Sequence, residues 1–433
     1  MSPEKLAELD KAHFWHPFTR MREWCAPEHE PVIIRHGEGV WLTDQHGRRG
    51  IDGNSTIWTC IHGHGHPRLL AAVKAQLDRI AHVSSLGYTH EPGILLAAAL
   101  SALWPPDTLT RVFFSDDGST AIECALKMAI QFRQQTGQPS RTRFAAFHGG
   151  YHGDTMGAAA LGGIDVFHER FRKMGMDVLL LDNMDKLRAL TPETMLTLTG
   201  IVIEPMIQGA AGMKLWPAGM LRELREWCDA EEVFLIADEV MTGFGRTGQM
   251  FACHHEGVVP DFLCLAKGLT GGLMPLAATL TTERVFRAFL NHPGAVEDRT
   301  FYYGHSYSGH PAGCAAALEN LAVFRDERTL ELLPEKVAAM KSGLAALAAA
   351  HPRYVHATRQ CGLIAGIDVA DRGVPFQMAA HTGARICLAA QDHGLFTRPV
   401  RDTLVLMPPL SITPEELTHA FRALSAAIRD ILE

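Results

Sequence analysis

Two short apolar runs that end on charged residues constrain the fold of this chain more than any other feature. Residues 233–237 end on Asp238 and Glu239, and residues 262–266 end on Lys267. An apolar run of about 4–8 residues closed by polar ones is typical of a strand buried in a parallel sheet. Because open α/β sheets bind ligands at the carboxyl ends of their strands, we expect the carboxylates and the lysine to face one site.

Lys267 gains a chemistry that an exposed lysine lacks if it is held in an apolar site. Desolvation favours its neutral amine, which is a nucleophile able to form a Schiff base with a carbonyl cofactor. A nearby carboxylate such as Asp238 either pairs with the lysine or holds the protonated ring nitrogen of a cofactor that acts as an electron sink. The alternative for these two residues is an exposed lysine after a strand and an aspartate that caps a helix.

The sequence around both residues is specific. Residues 237–252, ADEVMTGFGRTGQMFA, and residues 263–272, LCLAKGLTGG, resemble the class III pyridoxal-phosphate aminotransferases of fold type I. The resemblance implies an α/β fold, with a large domain of mostly parallel sheet flanked by helices and a smaller α+β domain. It also implies that Lys267 binds pyridoxal 5′-phosphate (PLP) covalently and serves as general base and acid. Asp238 would pair with the pyridine nitrogen, and Val240 would pack against one face of the ring.

A phosphate site is expected before the first long helix of the large domain. Residues 115–120 lie between a predicted strand (111–114) and a helix that begins near Thr120. Glycine, hydroxyls and a helix N-terminus together form an anion site, although a plain helix cap has the same composition. The resemblance implies that Gly118 and Ser119 contact the cofactor phosphate, and we expect the side chain of Asp117 to point away from it.

The same resemblance assigns three further residues. Tyr151, in a Gly-rich loop, is expected to stack on the ring face opposite Val240. Glu204, at the end of a predicted strand over 196–204, is expected to orient the site. Ser306 lies in a loop that crosses to the neighbouring subunit in this family, where its hydroxyl contacts the partner's cofactor phosphate. The resemblance therefore implies an obligate homodimer with shared active sites.

Two N-terminal segments narrow the resemblance to one branch of the family. Residues 13–19, HFWHPFT, and residues 53–67, GNSTIWTCIHGHGHP, are similar to the branch that acts in biotin biosynthesis. That branch converts 8-amino-7-oxononanoate to 7,8-diaminononanoate, usually with S-adenosylmethionine as amino donor. The resemblance implies a substrate cavity that suits a long alkyl chain, with these substrate-contacting residues: Phe18, Ile57, Trp58, Tyr151 and Val405.

Two features of the substrate site have alternatives. Arg398 is expected to clamp the substrate carboxylate, because arginine binds carboxylates in a bidentate manner, but Arg401 competes for that role and an exposed strand arginine is a third interpretation. Phe18, Ile57 and Val405 stand where relatives that use S-adenosylmethionine carry aromatic residues. A branch with substitutions of this kind and the same HSYSG motif uses lysine, so L-lysine is an alternative donor.

Composition bounds the class of protein. At 47% hydrophobic and 20% charged residues, the 433-residue chain is expected to be globular. Its length favours a segment over 1–60 that joins the small domain, a PLP-binding domain over 61–311 and a small domain over 312–433. The net charge of −8 argues against a nucleic-acid partner. Neither a membrane span nor a signal sequence is evident, and the nine scattered cysteines favour a reducing cytoplasm.

Three other functions were compatible with parts of the sequence. A metal site could be built from His62, His64 and His66, but Gly63 and Gly65 leave that frame flexible and no further ligand stands at a suitable spacing, so no metal is expected. Another class III enzyme, such as an ω-amino-acid:pyruvate aminotransferase or a decarboxylase, is the second alternative. A non-catalytic binding protein on the same fold is the third.

Periodicity and turn residues predict the remaining elements. They are a helix over 2–12, an antiparallel hairpin over 32–52, helices over 68–79 and 91–103, a loop near the cavity over 155–171, a long helix over 312–325, strands within 355–369, a helix over 376–393, a β-meander over 395–412 and a last helix after the capping box that starts at Thr413.

Overall fold

A seven-stranded sheet forms the centre of the molecule. The computed structural model describes residues 1–171, 174–291 and 298–433. In chain order the helices are α1 (Pro3–His13), α2 (Met21–Trp24), α3 (Ser55–Trp58), α4 (Pro67–Arg79), α5 (Glu91–Ser101), α6 (Gly118–Gln135), α7 (Met156–Ala160), α8 (Asp165–His168), α9 (Met184–Arg188), α10 (Pro192–Met195), α11 (Met220–Ala230), α12 (Glu283–Arg287), α13 (Pro311–Asp326), α14 (Leu333–Ala350), α15 (Thr382–Asp392) and α16 (Pro414–Leu432).

The strands are numbered in the same way. They are β1 (Ile34–Glu38), β2 (Trp41–Asp44), β3 (Arg49–Asp52), β4 (Arg111–Ser115), β5 (Arg143–Phe147), β6 (Val178–Leu181), β7 (Leu198–Ile203), β8 (Ile207–Gln208), β9 (Lys214–Leu215), β10 (Phe234–Asp238), β11 (Phe262–Leu265), β12 (Ala277–Thr281), β13 (Val355–Cys361), β14 (Ile364–Val369), β15 (Leu395–Phe396), β16 (Pro399–Val400) and β17 (Thr403–Leu406).

The central sheet has the strand order β4-β12-β11-β10-β7-β5-β6. β10 pairs in parallel with β11 and β7, and β5 pairs in parallel with β7 and β6. β12 runs antiparallel to both of its neighbours, β11 and β4. The expectation of an α/β fold with a mostly parallel sheet is therefore confirmed.

Helices cover both faces of this sheet, and neighbouring residues of β10 enter different hydrophobic clusters. Phe234 and Ile236 pack in a cluster that includes residues of α6, whereas Leu235 and Ala237 pack in one that includes residues of α11. Since side chains alternate along a strand, a strand buried on both faces needs an unbroken apolar run. In this register Asp238, at the end of β10, lies opposite Cys264 of β11.

A smaller four-stranded sheet joins the two ends of the chain. β1, β2 and β3 pair antiparallel, which confirms the hairpin expected over 32–52, and β15 adds in parallel to β3. The expectation of a single β-meander over 395–412 is wrong for its first strand, because β16 and β17 belong to a separate sheet, β13-β14-β17-β16. Gly53 lets β15 approach the end of β3. Its N–H donates to Phe396 O at 2.8 Å, and a Cβ at this position would lie 2.8 Å from Leu395 Cδ1.

Two short helices, α7 and α8, replace the loop expected over 155–171. The carboxylate of Glu123, on α6, accepts hydrogen bonds from the N–H groups of Gly157 at 2.6 Å and Ala158 at 3.2 Å, and so satisfies the first turn of α7. A cap supplied by a residue so far away in the sequence leaves no local pattern. The helix expected over 376–393 is also shorter, since α15 begins at Thr382 after a 3-10 turn at Met378–Ala380.

The other expected elements are confirmed within one or two residues at each end. They are α1, α4, α5, α13 and the strands β13 and β14, together with α16 and its capping box of Thr413 and Glu416. Within the described residues, no helix has the length and apolar character needed to cross a membrane. The domain boundaries stay predictions, and residues 172–173 and 292–297 of the predicted PLP-binding domain lie outside the described residues.

Candidate active site

A cavity of about 700 Å³ lies at the carboxyl ends of the central strands. Its wall combines the turn after β4, the loop after β5 and the ends of β7, β10 and β11. The sequence-predicted site residues that meet there are Trp58, Gly118, Ser119, Tyr151, Glu204, Asp238, Val240 and Lys267. Segments that are far apart in the chain therefore converge on one site, as strand ends in an open α/β sheet do.

Lys267 lines this cavity from a 3-10 turn, Lys267–Thr270, that follows β11. Its backbone φ of 44° is left-handed, a conformation that costs a non-glycine residue on the order of 1–3 kcal/mol. Its Nζ lies 4.7 Å from the centroid of the Trp58 ring. Burial lowers the pKa of Lys267 to about 8, against the charges of Asp238 and Glu204, which favour the ammonium form. A substantial fraction of the amine is therefore neutral near pH 8.

Asp238 is buried and makes two hydrogen bonds that fix its carboxylate. Oδ1 accepts from the Val240 N–H at 3.1 Å, and Oδ2 lies 2.7 Å from Nδ1 of His152. Burial lowers the pKa of His152, but the hydrogen bond to Asp238 and the charges of Asp238 and Glu204 outweigh it, so the pKa is raised. The contact with His152 therefore fixes the orientation of the Asp238 carboxylate.

His152 was not predicted as a functional residue. It belongs to the same Gly-rich loop as Tyr151, and its spacing from Asp238 in the sequence carries no information. The one clue was chemical: a carboxylate buried at a strand end needs a donor. The loop after β5 supplies that donor across the sheet.

Glu204 holds two backbone segments of the cavity wall. Its carboxylate accepts hydrogen bonds from the N–H groups of Tyr151 at 3.1 Å and Gly209 at 2.9 Å. Burial raises the pKa of Glu204 to about 7; the charge of Asp238 adds to this shift, and the charge of His152 opposes it. Through these contacts Glu204 positions the loop that carries both Tyr151 and His152.

The predicted phosphate turn lies at the start of α6. Asp117 caps this helix, since its Oδ1 accepts from the Thr120 N–H at 2.9 Å. The Ser119 hydroxyl lies 2.8 Å from that of Thr155 and accepts from the Thr155 N–H at 2.9 Å. A Cβ at Gly118 would lie 2.6 Å from Val240 Cγ1, so a side chain there would displace either the turn or Val240. The carboxylate of Asp117 is thus engaged by its own helix.

A row of aromatic rings extends from Tyr151 toward the surface. The centroid of the Tyr151 ring is 6.1 Å from that of Phe167 on α8, which is 5.4 Å from that of Phe18. The Tyr151 hydroxyl donates to Asp154 at 2.6 Å, and burial together with this hydrogen bond raises the pKa of Tyr151, which stays protonated. Phe18 is 64% exposed at the outer end of the row.

Several other predicted residues lie outside the lining of this cavity within the described chain. Val405 is buried in a cluster with Met241, against which Trp58 packs, whereas Ile57 is 41% exposed. Ser306 is exposed in the segment between β12 and α13. The roles predicted for these residues in substrate and partner binding stay predictions.

The two candidate arginines for the substrate carboxylate occupy different places. Arg398 is exposed and does not line the 700 Å³ cavity. Arg401 lines a second cavity of about 470 Å³, which shares Ala210 with the first. That second cavity also contains Arg359, whose guanidinium is paired with Asp368 at 2.6 Å. The choice between Arg398 and Arg401 stays open.

The three alternating histidines bind different partners. His64 Nε2 lies 2.9 Å from Asp52 Oδ2, and His66 Nε2 lies 3.2 Å from Glu327 Oε1. His62 is buried, and burial lowers its pKa to about 4. Within residues 1–171, 174–291 and 298–433, no group of three His, Cys, Asp or Glu side chains is arranged to hold a metal ion.

The cavity fits PLP. Lys267 would offer a buried amine of lowered pKa to the carbonyl of the cofactor, and Asp238 would offer a fixed carboxylate to a protonated ring nitrogen. The start of α6, where Gly118 has no side chain, would hold the phosphate. Bound PLP supplies an electron-withdrawing ring that takes up the electron pair left when a proton leaves the substrate carbon.

Sequence comparison identifies the class of protein. The chain belongs to the family described as "Aminotransferase class-III", whose model matches residues 24–428. It is a PLP-dependent aminotransferase.

Individual relatives have more specific names. The chain is 43% identical to the adenosylmethionine-8-amino-7-oxononanoate aminotransferase of Geobacter sulfurreducens, over 99% of this chain and 98% of the relative. It is 45% identical to the protein of that name from Nitratidesulfovibrio vulgaris, over 99% of this chain and 82% of the relative.

Solved structures agree with the fold. The adenosylmethionine-8-amino-7-oxononanoate aminotransferase of Methanocaldococcus jannaschii superimposes with a TM-score of 0.95 at 36% identity, over 99% of this chain and 100% of that one. A PLP-bound amine transaminase from an uncultivated Pseudomonas species superimposes with a TM-score of 0.89 at 34% identity, over 97% and 99%. These similarities confirm the predicted fold type.

Proposed function

We propose that this chain transfers an amino group to 8-amino-7-oxononanoate and forms 7,8-diaminononanoate, with S-adenosylmethionine as donor. The observation that carries the proposal is the similarity over 99% of the chain to proteins named for this reaction. The cavity supports it, because apolar side chains that can contact a long alkyl chain stand beside the polar groups. These are Trp58, Met241, Leu273, Met274 and Leu276.

Lys267 is the residue proposed to bind PLP and to move the proton. Its amine, once free of the cofactor, would accept the proton from the donor carbon and pass it to the C4′ carbon of PLP. A pKa of about 8 suits both steps, since the amine changes charge close to neutral pH. The Trp58 ring, 4.7 Å away, stabilises the ammonium that forms in between.

Asp238, His152 and Glu204 are proposed to hold the cofactor in its reactive form. Asp238 would hold the protonated ring nitrogen, and His152 orients the Asp238 carboxylate through the 2.7 Å contact. Glu204 fixes the loop from which Tyr151 stacks on the ring. None of these steps requires a further cofactor or a metal.

The active assembly is proposed to be a homodimer that acts in the cytoplasm. Ser306 is exposed and lies in the HSYSG motif, close to His305, whose Nδ1 is 2.8 Å from Asp116 Oδ2 beside the phosphate turn. This contact supports a loop that is fixed on its own subunit while its serine hydroxyl is free for the partner's cofactor phosphate.

The amino donor needs a direct test. Phe18 and Ile57 are exposed, and Val405 is buried; these departures from the aromatic residues of relatives lie outside the cavity lining. Their position gives no support to L-lysine, so the proposal keeps the donor that the names of the relatives carry.

The deciding experiment follows the visible absorbance of the purified holoprotein. S-adenosylmethionine and L-lysine are added separately, and 8-amino-7-oxononanoate is added afterwards to restore the spectrum. We expect S-adenosylmethionine to change the spectrum and the oxo acid to restore it, with 7,8-diaminononanoate detected by mass spectrometry. A change with lysine alone would overturn the donor, and failure of the oxo acid to restore the spectrum would overturn the proposed substrate.

A further inference from the structure

The turn that carries Lys267 receives hydrogen bonds from a buried amide on α13. Asn320, on α13, is fully buried. Its Nδ2 donates to the carbonyl oxygens of Gly268 and Leu269, both at 3.0 Å. These carbonyls belong to the 3-10 turn Lys267–Thr270, which is too short to satisfy them all internally. The buried end of the turn therefore depends on a donor from another helix.

The rest of the turn is held mainly from within its own segment. The Gly271 N–H donates to Gly268 O at 3.0 Å, and the Thr270 hydroxyl donates to Met274 O at 2.6 Å. These bonds close the turn. Two contacts from outside hold it in place: the Ile61 N–H donates to Gly271 O at 3.1 Å at its far end, and Asn320 binds Gly268 and Leu269, next to Lys267 itself. The second contact comes from α13, a sixteen-residue helix packed against its neighbours in the core.

The amide of Asn320 has little freedom to turn. A Cβ at Gly271 would lie 3.2 Å from Asn320 Oδ1 and 2.9 Å from Leu69 Cδ1, and Gly271 itself has a φ of +66°. The side chain is thus packed between α4 and the end of the turn. Its two donated bonds oppose any rotation of the turn that would relieve the left-handed backbone of Lys267, whose φ is 44°.

We propose that Asn320 is a positioning residue that holds the strained backbone of Lys267 and so aims its amine into the cavity. Strain of this kind persists only where the surroundings over-determine the conformation. When the two bonds from Asn320 are removed, the turn relaxes and the amine leaves the geometry that attachment of PLP and proton transfer require. The inference rests on Lys267 as the residue that binds PLP, and not on the identity of the substrates.

The main test is the N320L variant, which keeps the approximate volume of the side chain and removes both donors. The apoprotein is mixed with PLP, and attachment to Lys267 is followed by absorbance. We expect the attachment rate to fall at least about 10-fold, consistent with the loss of a buried hydrogen bond of about 1.4 kcal/mol or more. In the holoprotein we expect kcat to fall by a similar factor with KM changed less than about 2-fold, which is the pattern of lost transition-state positioning.

The matched control is V323A, a substitution at a fully buried residue of the same helix. V323A is expected to lower the melting temperature. Its rate of PLP attachment and its kcat are expected to stay close to those of the wild type. N320S is the second variant, in case N320L does not fold: one hydroxyl can donate to one carbonyl, so an intermediate rate is expected.

Attachment at the wild-type rate in N320L, or in N320S if N320L does not fold, would overturn the proposal. The proposal would also be overturned if the Asn320 variant and V323A lost the same amount of melting temperature and the attachment rate fell no further in the Asn320 variant than in V323A. The attachment assay contains PLP alone, and a failure of wild-type protein to aminate 8-amino-7-oxononanoate would refute the proposed function and leave the role of Asn320 standing.

Discussion

Replacement of His152 tests the link between Asp238 and cofactor binding. His152 Nδ1 lies 2.7 Å from Asp238 Oδ2, and both side chains are buried. H152A removes the donor and leaves Asp238 with the Val240 N–H at 3.1 Å. A buried charge that loses its partner costs about 3–5 kcal/mol of folding free energy. H152N keeps a neutral donor near the position of Nδ1, so only the charge is lost, and we expect a cost of about 1–2 kcal/mol.

Replacement of His152 is also expected to weaken the binding of PLP, because pairing with the ring nitrogen needs an ionised carboxylate. A charge-assisted hydrogen bond contributes about 1.5–3 kcal/mol, so its loss in H152A is expected to raise the Kd of PLP by about 10- to 100-fold. For H152N the expected increase is about 5- to 30-fold. The assay titrates each apoprotein with PLP and follows the quenching of tryptophan fluorescence, with urea unfolding of the same apoproteins measured in parallel.

His351 provides the matched control. It is 2% exposed, and its ring nitrogens lie 3.1 Å from Glu433 and 2.7 Å from Ser425, away from the cavity. H351N should lower stability without changing the Kd of PLP. If H152A bound PLP as tightly as the wild type, the argument that His152 holds the Asp238 carboxylate for the cofactor would be refuted.

Three further predictions follow from the same site. Because the pKa of Lys267 is about 8 and only the neutral amine reacts, the rate of PLP attachment to apoprotein should rise with pH through about 8, as stopped-flow absorbance would reveal; a midpoint near 10.5 would contradict this. Burial raises the pKa of Glu204 from 4.5 to about 7, so the folded apoprotein binds an extra proton between these values and loses stability as pH rises through them. E204Q should remove this loss in urea unfolding at pH 5 and pH 8, and an unchanged pH dependence would argue against it. G118A places a Cβ 2.6 Å from Val240 Cγ1, so it should weaken PLP binding at least about 10-fold, as measured by equilibrium titration. G137A, an exposed position where nothing lies within 4 Å of the added Cβ, is the control. Equal PLP affinities of the two variants would show that the close approach to Val240 does not determine cofactor binding.

The central sheet could be predicted because its strands carry their own evidence. β10 and β11 are apolar runs buried on both faces; β10 ends on Asp238, and Lys267 follows the end of β11 by two residues. Parallel pairing then brings Asp238 and Lys267 to one edge without any knowledge of distant contacts. The resemblance to a family added the roles of Gly118, Tyr151 and Val240, which composition and periodicity alone could not assign.

The residues that sequence reasoning missed act through contacts between distant segments. His152 meets Asp238 across the sheet, Asn320 reaches the Lys267 turn from α13, and Glu123 caps α7 from α6. In each case a polar group satisfies a buried partner, and its residue type is equally compatible with a solvated position. Such pairings depend on the tertiary fold, so no spacing in the sequence indicates them.

The two adjacent acids at the end of β10 also show what sequence cannot predict, namely which of them faces the cavity. Asp238 and Glu239 are adjacent, and both are buried. Glu239 accepts from the N–H groups of Ala252 at 2.7 Å and Cys253 at 2.8 Å, and it therefore stabilises the segment after β10. Strand alternation sends the two side chains to opposite faces, but only the packed structure identifies the face that holds the cavity.

The sheet formed by β1, β2, β3 and β15 sets the time at which the site can be completed. β3 ends at Asp52, yet its parallel partner β15 begins at Leu395, so several hundred residues must leave the ribosome before the pair can form. Arg246 also joins an early segment of the chain to a late one, since its guanidinium donates to Cys60 O at 2.7 Å and to Pro408 O at 2.6 Å.

A nascent chain therefore carries an unpaired strand edge for most of its synthesis, and such edges promote association between chains. The segment that holds Trp58 follows β3, and the Ser55 hydroxyl donates to Met407 O at 2.7 Å, so this segment is secured only after β17 has been made. A chain that stops before β15 keeps Lys267 and Asp238 but lacks the anchor of this wall of the cavity. We expect chains that end before β15 to aggregate or to be degraded rather than to act as enzymes with reduced activity.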